Sequence, residues 1–243
     1  MTNRSATILS CRDVRSGWGA TEILDGISFD LSAGETMAIL GRNGVGKTTL
    51  LSTIMGRARF RSGELVFQGH SILGTSIMKR SRLGIALVPQ EREIFRSLTV
   101  LENMQIAQRS GGWTLEQAYD LFPRLSERQK HLGNHLSGGE QQMLAIARSL
   151  MAGPKLLMLD EPMEGLAPVI IDQIIHAISR IQRENEIAVL LVEQHASIAL
   201  SMSEHVLVME RGRSIYDNGS GEKPDRAKIE GLLALGNSEM PTK

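Results

Sequence analysis

The stretch GRNGVGKTT, from Gly41 to Thr49, combines three glycines with a lysine and two adjacent hydroxyl side chains. It fits the pattern G-x-x-x-x-G-K-[ST], in which backbone N–H groups and the positive end of the following helix surround a phosphate. Lys47 is expected to reach the β- and γ-phosphates of a nucleotide, and the Thr48 hydroxyl to bind Mg²⁺. The alternative is a glycine-rich turn that only begins a helix. The predicted nucleotide contacts are Gly41, Arg42, Asn43, Gly44, Val45, Gly46, Lys47, Thr48 and Thr49.

Two carboxylates follow an apolar run in the stretch LLMLDEP. Asp160 is expected to hold Mg²⁺, directly or through water, and Glu161 to orient and deprotonate an attacking water. The alternative is a pair of strand-end acids that form ordinary salt bridges. Their position after a buried strand, downstream of a phosphate loop, favours the catalytic interpretation.

Two further polar side chains also end apolar runs: Gln90 closes GIALVPQ, and His195 closes AVLLVEQH. The carboxyl ends of parallel strands meet at one edge of a sheet, where α/β proteins bind ligands. A lone glutamine or histidine is more often structural. Because Gln90 and His195 are predicted at the same edge of the sheet as the phosphate loop and the carboxylates, a functional role is favoured for both.

The stretch HLSGGEQQM contains a second glycine-rich helix start, Ser137–Glu140. Ser137 and Glu140 have the spacing of a capping box that precedes the apolar positions of a buried helix. A capping box does not require Gly138 and Gly139, which cost about 1 kcal/mol each where the backbone is ordered. The glycines therefore favour the close approach of another backbone or of a phosphate, since helix N-termini attract anions.

Four continuous apolar runs predict the strands of a parallel sheet with helices on both faces. They are TMAIL, GIALV, LLML and AVLLV. The alternation in GISFDL and GELVFQG predicts a small antiparallel sheet. Residues 99–151 have no strand pattern and predict helices, interrupted at Gly111 and Gly112 and around Pro123. The stretch HVLVMERGRSIY predicts a hairpin that turns at Arg211 and Gly212.

Composition excludes several classes of protein. The 27 basic and 27 acidic residues cancel, so no global positive field favours nucleic acid as a partner. Cys11 is the only cysteine, which excludes an intrachain disulfide and a cysteine-built metal cluster and fits a reducing compartment. Neither a secretory signal nor an apolar run of about 18 residues is recognised. The sequence predicts a cytosolic protein, unless a partner holds it at a membrane.

Five stretches, in a fixed order along nearly the whole chain, resemble the motifs of the nucleotide-binding subunits of ABC transporters. GRNGVGKTT resembles Walker A, LVPQ the Q-loop, LSGGEQQ the signature motif, LLMLDEP Walker B, and VEQH the switch-histidine segment. Trp18 falls where the family usually places a tyrosine that stacks on adenine, although it could instead pack within the small sheet.

The resemblance implies an α/β fold of the P-loop NTPase (RecA-like) type. This fold has a mainly parallel sheet core, a small N-terminal antiparallel β-subdomain and a helical subdomain. A single ABC ATP-binding domain is expected over residues 6–237, followed by a tail at 238–243. The antiparallel elements are expected within about 6–70 and the helical subdomain at about 95–150.

The resemblance also implies a head-to-tail dimer with ATP and Mg²⁺ between two such domains. The phosphate loop of one subunit would hold the nucleotide, and Ser137–Glu140 of the other would close on its γ-phosphate. His195 would contact the γ-phosphate, and Gln90 would link Mg²⁺ and the attacking water to a membrane subunit. The implied partners are a second ATPase, identical or related, and membrane permeases, with a solute-binding protein acting indirectly. The implied location is peripheral, on the cytoplasmic face of the cell membrane.

Finer features narrow the resemblance. VPQEREIF, DEPMEGLAP and LVEQHASIAL resemble the small ATPase of importers for branched-chain amino acids. Importers of urea or of other amide or aromatic solutes are an alternative. A soluble ABC ATPase of cluster assembly or repair, without a transport role, is an alternative of another class. Two residues depart from the common pattern: Ala167 replaces an aspartate of many ABC proteins, and Met163 replaces a small hydroxyl residue.

Overall fold

The computed structural model describes residues 6–185 and 187–235, so the tail expected at 238–243 lies outside the described residues. Its first part is an antiparallel sheet in the order β2-β1-β4-β5. Leu9 and Cys11 are buried on one face of β1 and Leu65 on β4, which confirms the predicted antiparallel sheet. The strands are β1 (Thr7–Trp18), β2 (Thr21–Ser32), β4 (Arg59–Phe67) and β5 (His70–Ser71).

A second sheet of six strands carries the predicted site. Its strands are β3 (Thr36–Leu40), β6 (Ile85–Val88), β7 (Leu156–Asp160), β8 (Ala188–Glu193), β9 (His205–Glu210) and β10 (Arg213–Asp217). The order is β10-β9-β3-β8-β7-β6, and every pair is parallel except the hairpin β9-β10. β3, β7 and β8 are buried throughout, as their continuous apolar sequences predict.

Helices cover both faces of this sheet. They are α1 (Lys47–Met55), α2 (Ile77–Leu83), α3 (Val100–Gln105), α4 (Leu115–Leu121), α5 (Pro123–Glu127), α6 (Gly138–Met151), α7 (Pro168–Asn185), α8 (Ala196–Met202) and α9 (Arg226–Leu235). As predicted, helices fill the segment 99–151, and Pro123 is the first residue of α5, where its missing N–H has no intrahelical partner to lose. Within the described ranges, every helix is too short or too polar to span a membrane.

The two faces of the six-stranded sheet belong to different parts of the core. Leu156 and Met158 of β7 pack with the antiparallel sheet and α1, whereas Leu157 and Leu159 pack with the helices between 99 and 185. This alternation follows from the two-residue period of a strand. It fixes which way the end of β7 points and therefore where Asp160, the last residue of β7, lies.

The end of α1 remote from the phosphate loop is held by a buried arginine. Arg80 of α2 donates to the carbonyls of Thr53 and Ile54, at 2.8 and 2.7 Å, and to the carbonyl of Ile72 at 2.9 Å. The last carbonyls of a helix lack intrahelical donors and carry partial negative charge. A guanidinium that satisfies them stabilises the C-terminal end of α1.

Candidate active site

The loop between β3 and α1 borders a cleft of about 390 Å³. Gly44 and Gly46 have φ of 81° and 111°, the left-handed region that disfavours a side chain. Gly46 is the N-cap of α1, so this helix begins with backbone N–H groups that no side chain of the cap residue can satisfy. The cleft is lined by Trp18, Ile23, Asn43, Gly44, Gly46, Lys47, Thr48, Thr49, Gln90 and Glu161.

Lys47 is the charged centre of the loop. Its ammonium donates to the carbonyls of Gly41 and Arg42, at 2.7 and 3.0 Å, and lies 3.2 Å from Oε1 of Glu161. Only 4% of its side chain is exposed. An ammonium has three donors, and these three contacts use all of them. Gly41 and Arg42 therefore orient the lysine, although they do not line the cleft. The carbonyl of Val45 accepts a hydrogen bond from the N–H of Gly212, which connects the loop to the β9-β10 turn.

Glu161 follows the last residue of β7 with φ of 47°, an uncommon conformation for a residue with a side chain. Its backbone N–H donates to the carbonyl of Val192 at 3.0 Å, which ties this turn to β8. Its two carboxylate oxygens have different partners: Oε1 faces Lys47, and Oε2 accepts from Nε2 of Gln194 at 2.7 Å. The predicted general base is thus buried, ionically paired and fixed in direction.

Asp160 has the properties of a cation ligand. Burial raises its pKa to about 6, with a smaller contribution from the charge of Glu161, while the hydrogen bond with Thr48 and the charge of Lys47 oppose this shift. Its Oδ1 is buried and has no hydrogen-bond partner among the described residues. A buried carboxylate oxygen without a donor, beside a hydroxyl, suits a hard cation. The residues present therefore fit Mg²⁺, which Asp160 and Thr48 would hold.

Trp18 lies at the mouth of the cleft, at the end of β1. Its indole N–H donates to the Thr49 hydroxyl at 3.3 Å, while 47% of the residue remains exposed. A tryptophan that packs only within a sheet would be largely covered. The structure thus places a half-exposed aromatic side chain beside the phosphate loop.

Gln90 follows Pro89 at the end of β6 and lines the same cleft. Its side chain is exposed and donates to the carboxylate of Glu164, four residues after Asp160. This contact connects the segment after β6 with the loop after β7. The structure brings Gln90 to the cleft and pairs it with Glu164, and it shows no contact between Gln90 and Asp160 or Thr48.

The two residues that follow β8 lie differently relative to the cleft, and the expected contact of His195 with a γ-phosphate stays a prediction. His195 is exposed at the start of α8 and is not among the residues that line the cleft, whereas Gln194 bonds to Glu161. Parallel register explains this position, because Asp160 is paired with Val192, so that Glu161 directly follows β7 and Gln194 directly follows β8 at the same edge of the sheet. Sequence reasoning missed Gln194, and this register between LLMLDE and LLVEQ was the signal that could have found it.

Glu193 is a second residue that sequence reasoning missed. Its carboxyl is buried, and burial raises its pKa to about 7, with a smaller contribution from the charge of Glu161. Oε2 accepts from the backbone N–H of Gln194 at 3.3 Å, and Oε1 has no hydrogen-bond partner in the described part of the chain. The end of β8 therefore places a second perturbed carboxyl behind the site.

The second glycine-rich start, Ser137–Glu140, is the N-terminus of α6 and does not line the cleft. Both hydrogen bonds of the predicted capping box are present: the Ser137 N–H donates to Glu140 at 2.8 Å, and the Glu140 N–H donates to the Ser137 hydroxyl at 3.3 Å. Arg124 and Arg128 also contact Glu140, at 3.2 and 3.4 Å. The Glu140 carboxylate is thus occupied within its own subunit.

The two glycines of this start have different surroundings. A Cβ on Gly139 would lie 2.8 Å from Cγ2 of Ile170, so this glycine allows α6 and α7 to pack closely. A Cβ on Gly138 would meet nothing nearer than the Arg92 guanidinium, at 3.6 Å. Gly138 therefore has room for a methyl group, whereas the close neighbour of Gly139 is the Ile170 side chain of the same subunit rather than another backbone or a phosphate.

Two departures from the common motif pattern have ordinary structural surroundings. Met163 is buried in the core beside α6 and α7. The Ala167 carbonyl accepts from the N–H groups of Ile170 and Ile171, at 2.9 and 3.1 Å, and so begins α7, while the residue itself is exposed. Met163 therefore contributes packing, and Ala167 presents no side-chain charge at this surface.

The chain is similar in sequence to known proteins. The sequence profile of the ABC transporter family matches residues 24–164. The high-affinity branched-chain amino acid transport ATP-binding protein BraG of Pseudomonas aeruginosa is 40% identical, over 88% of this chain and 94% of its own length. A probable branched-chain amino acid transport ATP-binding protein, LivF of Archaeoglobus fulgidus, is 34% identical, over 90% of this chain and 95% of its own.

The fold is also similar to solved structures. A crystal structure of the ADP conformation of an ATP-binding cassette of an ABC transporter superimposes with a TM-score of 0.77. It shares 26% sequence identity, covering 95% of this chain and 96% of that one. The likeness therefore extends over both sheets and the helices between them.

Proposed function

The chain belongs to the ABC transporter family and is an ATP hydrolase of that family, and from this we propose that it powers the uptake of branched-chain amino acids or similar small solutes through membrane permeases. The observation that supports the hydrolytic role most directly is the meeting of Lys47 and Glu161 in one cleft. The phosphate loop and a general base thereby face the same space. The named solute of the two curated relatives supports the choice of substrate.

Each residue of the cleft has a proposed role. The backbone of residues 41–49 and the start of α1 hold the phosphates, and Lys47 pairs with the β- and γ-phosphates. Trp18 stacks on the adenine, since its half-exposed ring lies beside Thr49. Gln90, which also lines the cleft, orients the attacking water.

Glu161 is the proposed general base. It removes a proton from water as the water oxygen attacks the γ-phosphorus, and the bond to the β-phosphate oxygen breaks to give ADP and phosphate. Asp160 and Thr48 are the residues that would hold Mg²⁺, as the orphaned Oδ1 of Asp160 indicates. When bound there, Mg²⁺ would neutralise phosphate charge.

Ser137–Gly139 is proposed to act on the nucleotide of a second subunit. The segment is exposed at the start of α6 apart from Gly139, and it lies outside the cleft of its own chain. The N–H group of Gly138 and the hydroxyl of Ser137 suit a γ-phosphate, whereas the N–H of Ser137 already donates to Glu140. Glu140 is proposed to fix this segment through its cap and its contacts with Arg124 and Arg128. The dimer partner is an identical or a related ATPase.

The segment after Gln90 is proposed to contact the permease. Phe95 is 47% exposed and is held by the Arg148 guanidinium, 5.1 Å above its ring. Met78, on α2, is 60% exposed. Exposed apolar side chains of this size suit a protein partner. Attachment to permeases would place the chain peripherally at the cytoplasmic face of the membrane, with a solute-binding protein acting indirectly.

Solute uptake in a deletion strain tests the transport proposal. We expect deletion to abolish uptake of labelled leucine, isoleucine and valine, wild-type chain to restore it, and Glu161→Gln to fail. Normal uptake of these amino acids in the deletion strain, with intact ATP hydrolysis by the purified chain, would contradict this substrate class. Uptake of labelled urea in the same strains tests the amide alternative.

A further inference from the structure

We infer that Gln194 is the positioning residue for Glu161, and that it holds the general base when Lys47 turns to the nucleotide. This inference rests on the proposed function and specifies one residue of it. Nε2 of Gln194 lies 2.7 Å from Oε2 of Glu161. Gln194 is half-buried directly after β8, next to a strand that is buried from end to end.

The donor count of Lys47 makes a change of partners necessary. Its ammonium already uses all three donors, on the carbonyls of Gly41 and Arg42 and on Glu161. A phosphate oxygen can bond to this ammonium only by displacing one of the three. The contact with Glu161 is the longest, 3.2 Å against 2.7 and 3.0 Å, and it opposes a phosphate oxygen of like charge.

Once the lysine has exchanged Glu161 for phosphate, Gln194 is the remaining side-chain partner of the general base. Because Nε2 binds Oε2, the other oxygen, Oε1, is released by Lys47 and becomes free to accept a proton from water. The same carboxylate thus keeps a fixed direction while it changes from an ion-pair partner to a base. General-base catalysis depends on that direction, since the base must lie within hydrogen-bond reach of the water.

The backbone supports Gln194 in this role. Its N–H donates to the buried carboxyl of Glu193, and the backbone N–H of Glu161 donates to the carbonyl of Val192, two residues before Gln194. These bonds fix the ends of β7 and β8 relative to each other. His195 begins α8 with an exposed side chain outside the cleft and cannot replace Gln194 without a rearrangement of this turn.

Steady-state hydrolysis and ATP binding by three variants test the inference. Gln194→Ala is expected to lower kcat roughly 10- to 100-fold, because a base displaced by about 1 Å loses that much rate. The Kd for ATP should stay within about twofold, since Lys47 and the loop are untouched. Gln194→His, which keeps a donor, should recover most of kcat, whereas Gln194→Glu should not, because it places a second carboxylate against Glu161.

A double-mutant cycle distinguishes positioning from a merely structural effect. In the Glu161→Gln background, adding Gln194→Ala should produce no further loss of hydrolysis, because the group to be positioned is already gone. Gln182→Ala on α7 is the control and should hydrolyse ATP at the wild-type rate. Equal multiplicative losses in both backgrounds would overturn the inference.

The role of Glu161 as general base and the role of Gln194 as its positioning residue can be tested separately. Wild-type hydrolysis by Glu161→Gln would overturn the proposed role of the base itself. Wild-type kcat in Gln194→Ala, with Glu161→Gln inactive, would overturn only the role of Gln194. The same conclusion would follow if His195→Ala lost turnover and Gln194→Ala did not.

Discussion

The Lys47 ammonium and the Glu161 carboxylate lie 3.2 Å apart, with only 4% and 8% of their side chains exposed. Removing one partner of a buried ion pair leaves an uncompensated charge and typically costs about 3–5 kcal/mol. Neutral Gln at position 161 keeps the shape of the side chain and can still accept a hydrogen bond. The pair therefore links folding, nucleotide binding and hydrolysis in two side chains.

Glu161→Gln is expected to bind ATP at least as tightly as wild type. In this variant Lys47 does not have to break an ion pair with residue 161 before it bonds to a phosphate. Hydrolysis should fall at least about 100-fold, since an amide cannot take a proton from water. ATP should then accumulate between two subunits. Phosphate release measures the first effect, and light scattering after gel filtration with ATP measures the second. A variant that remains monomeric with ATP would contradict the dimer.

Ser137→Arg is expected to abolish hydrolysis while ATP binding by the isolated monomer stays near wild type. The reason is that Ser137 lies outside the cleft of its own chain and is proposed to act on the partner's nucleotide. Ser201→Arg, on the exposed surface of α8, is the matched control. Loss of ATP binding by the Ser137→Arg monomer would instead give this segment a role within one subunit.

The adjacent glycines Gly138 and Gly139 provide a matched pair. Gly139→Ala should lower the melting temperature, because its methyl would lie 2.8 Å from Ile170. Gly138→Ala has room for its methyl group and replaces a helical glycine. It should therefore preserve the melting temperature or raise it, with a gain of up to about 1 kcal/mol in the free energy of unfolding. Hydrolysis should still fall in Gly138→Ala, because the methyl lies where the phosphate approaches.

Differential scanning fluorimetry and phosphate release separate these two effects. Adding Ile170→Val to Gly139→Ala is expected to recover part of the lost stability, since it shortens the side chain that the new methyl meets. Full hydrolysis by Gly138→Ala would show that no group approaches this position closely.

His205 predicts a dependence of stability on pH that is independent of the nucleotide. Burial opposes its charge, but hydrogen bonds with Asp217 and Glu35, each 3.0 Å long, raise its pKa to about 9. A raised pKa stabilises the fold fully below the unfolded value of about 6.5, and the contribution is lost as pH rises through about 9. We expect wild type to lose about 3 kcal/mol over this interval, since one pKa unit corresponds to about 1.4 kcal/mol.

The measurement is urea unfolding of wild type and His205→Gln between pH 6 and pH 10. The difference in unfolding free energy should be largest near pH 6 and shrink as pH rises. The pKa values of Glu35 and Asp217 are lowered by the same contacts, after the opposing effect of burial, so their contribution should disappear only at acidic pH. A difference that is constant from pH 6 to pH 10 would exclude a charged His205.

Trp18→Ala is expected to weaken ATP binding roughly tenfold, the equivalent of about 1.4 kcal/mol, while Trp18→Tyr should retain most of the affinity. Little stability should be lost, since 47% of the residue is exposed. Titration with a fluorescent ATP analogue measures both variants. Unchanged affinity in Trp18→Ala, together with a lower melting temperature, would return the side chain to a packing role.

Much of the architecture followed from patterns that depend on local physics. Continuous apolar runs identified β3, β7 and β8 because strands buried on both faces have no polar positions. The capping box at Ser137 is visible in sequence because it spans four residues. The phosphate loop is similarly local, since its glycines and Lys47 act within one turn.

Contacts between distant segments were not predictable in the same way. Whether Gln194 or His195 contacts Glu161 depends on the register between β7 and β8. A shift of one residue at the strand end would exchange the positions of their side chains. The requirement for Gly139 depends on Ile170, thirty-one residues later, and so on the packing of two helices. Sequence alone indicated that a glycine was needed there, and it assigned the need to another backbone or a phosphate rather than to a side chain.

Arg80 extends the binding site beyond the groups that touch it. The helix that begins at Lys47 has nine residues, and the carbonyls held by Arg80, on Thr53 and Ile54, lie about 10 Å along its axis from the phosphate end. By donating to these carbonyls, the guanidinium holds the C-terminal end of α1 in place. An arginine outside the cleft thus fixes the far end of the helix whose first turn borders the phosphate loop.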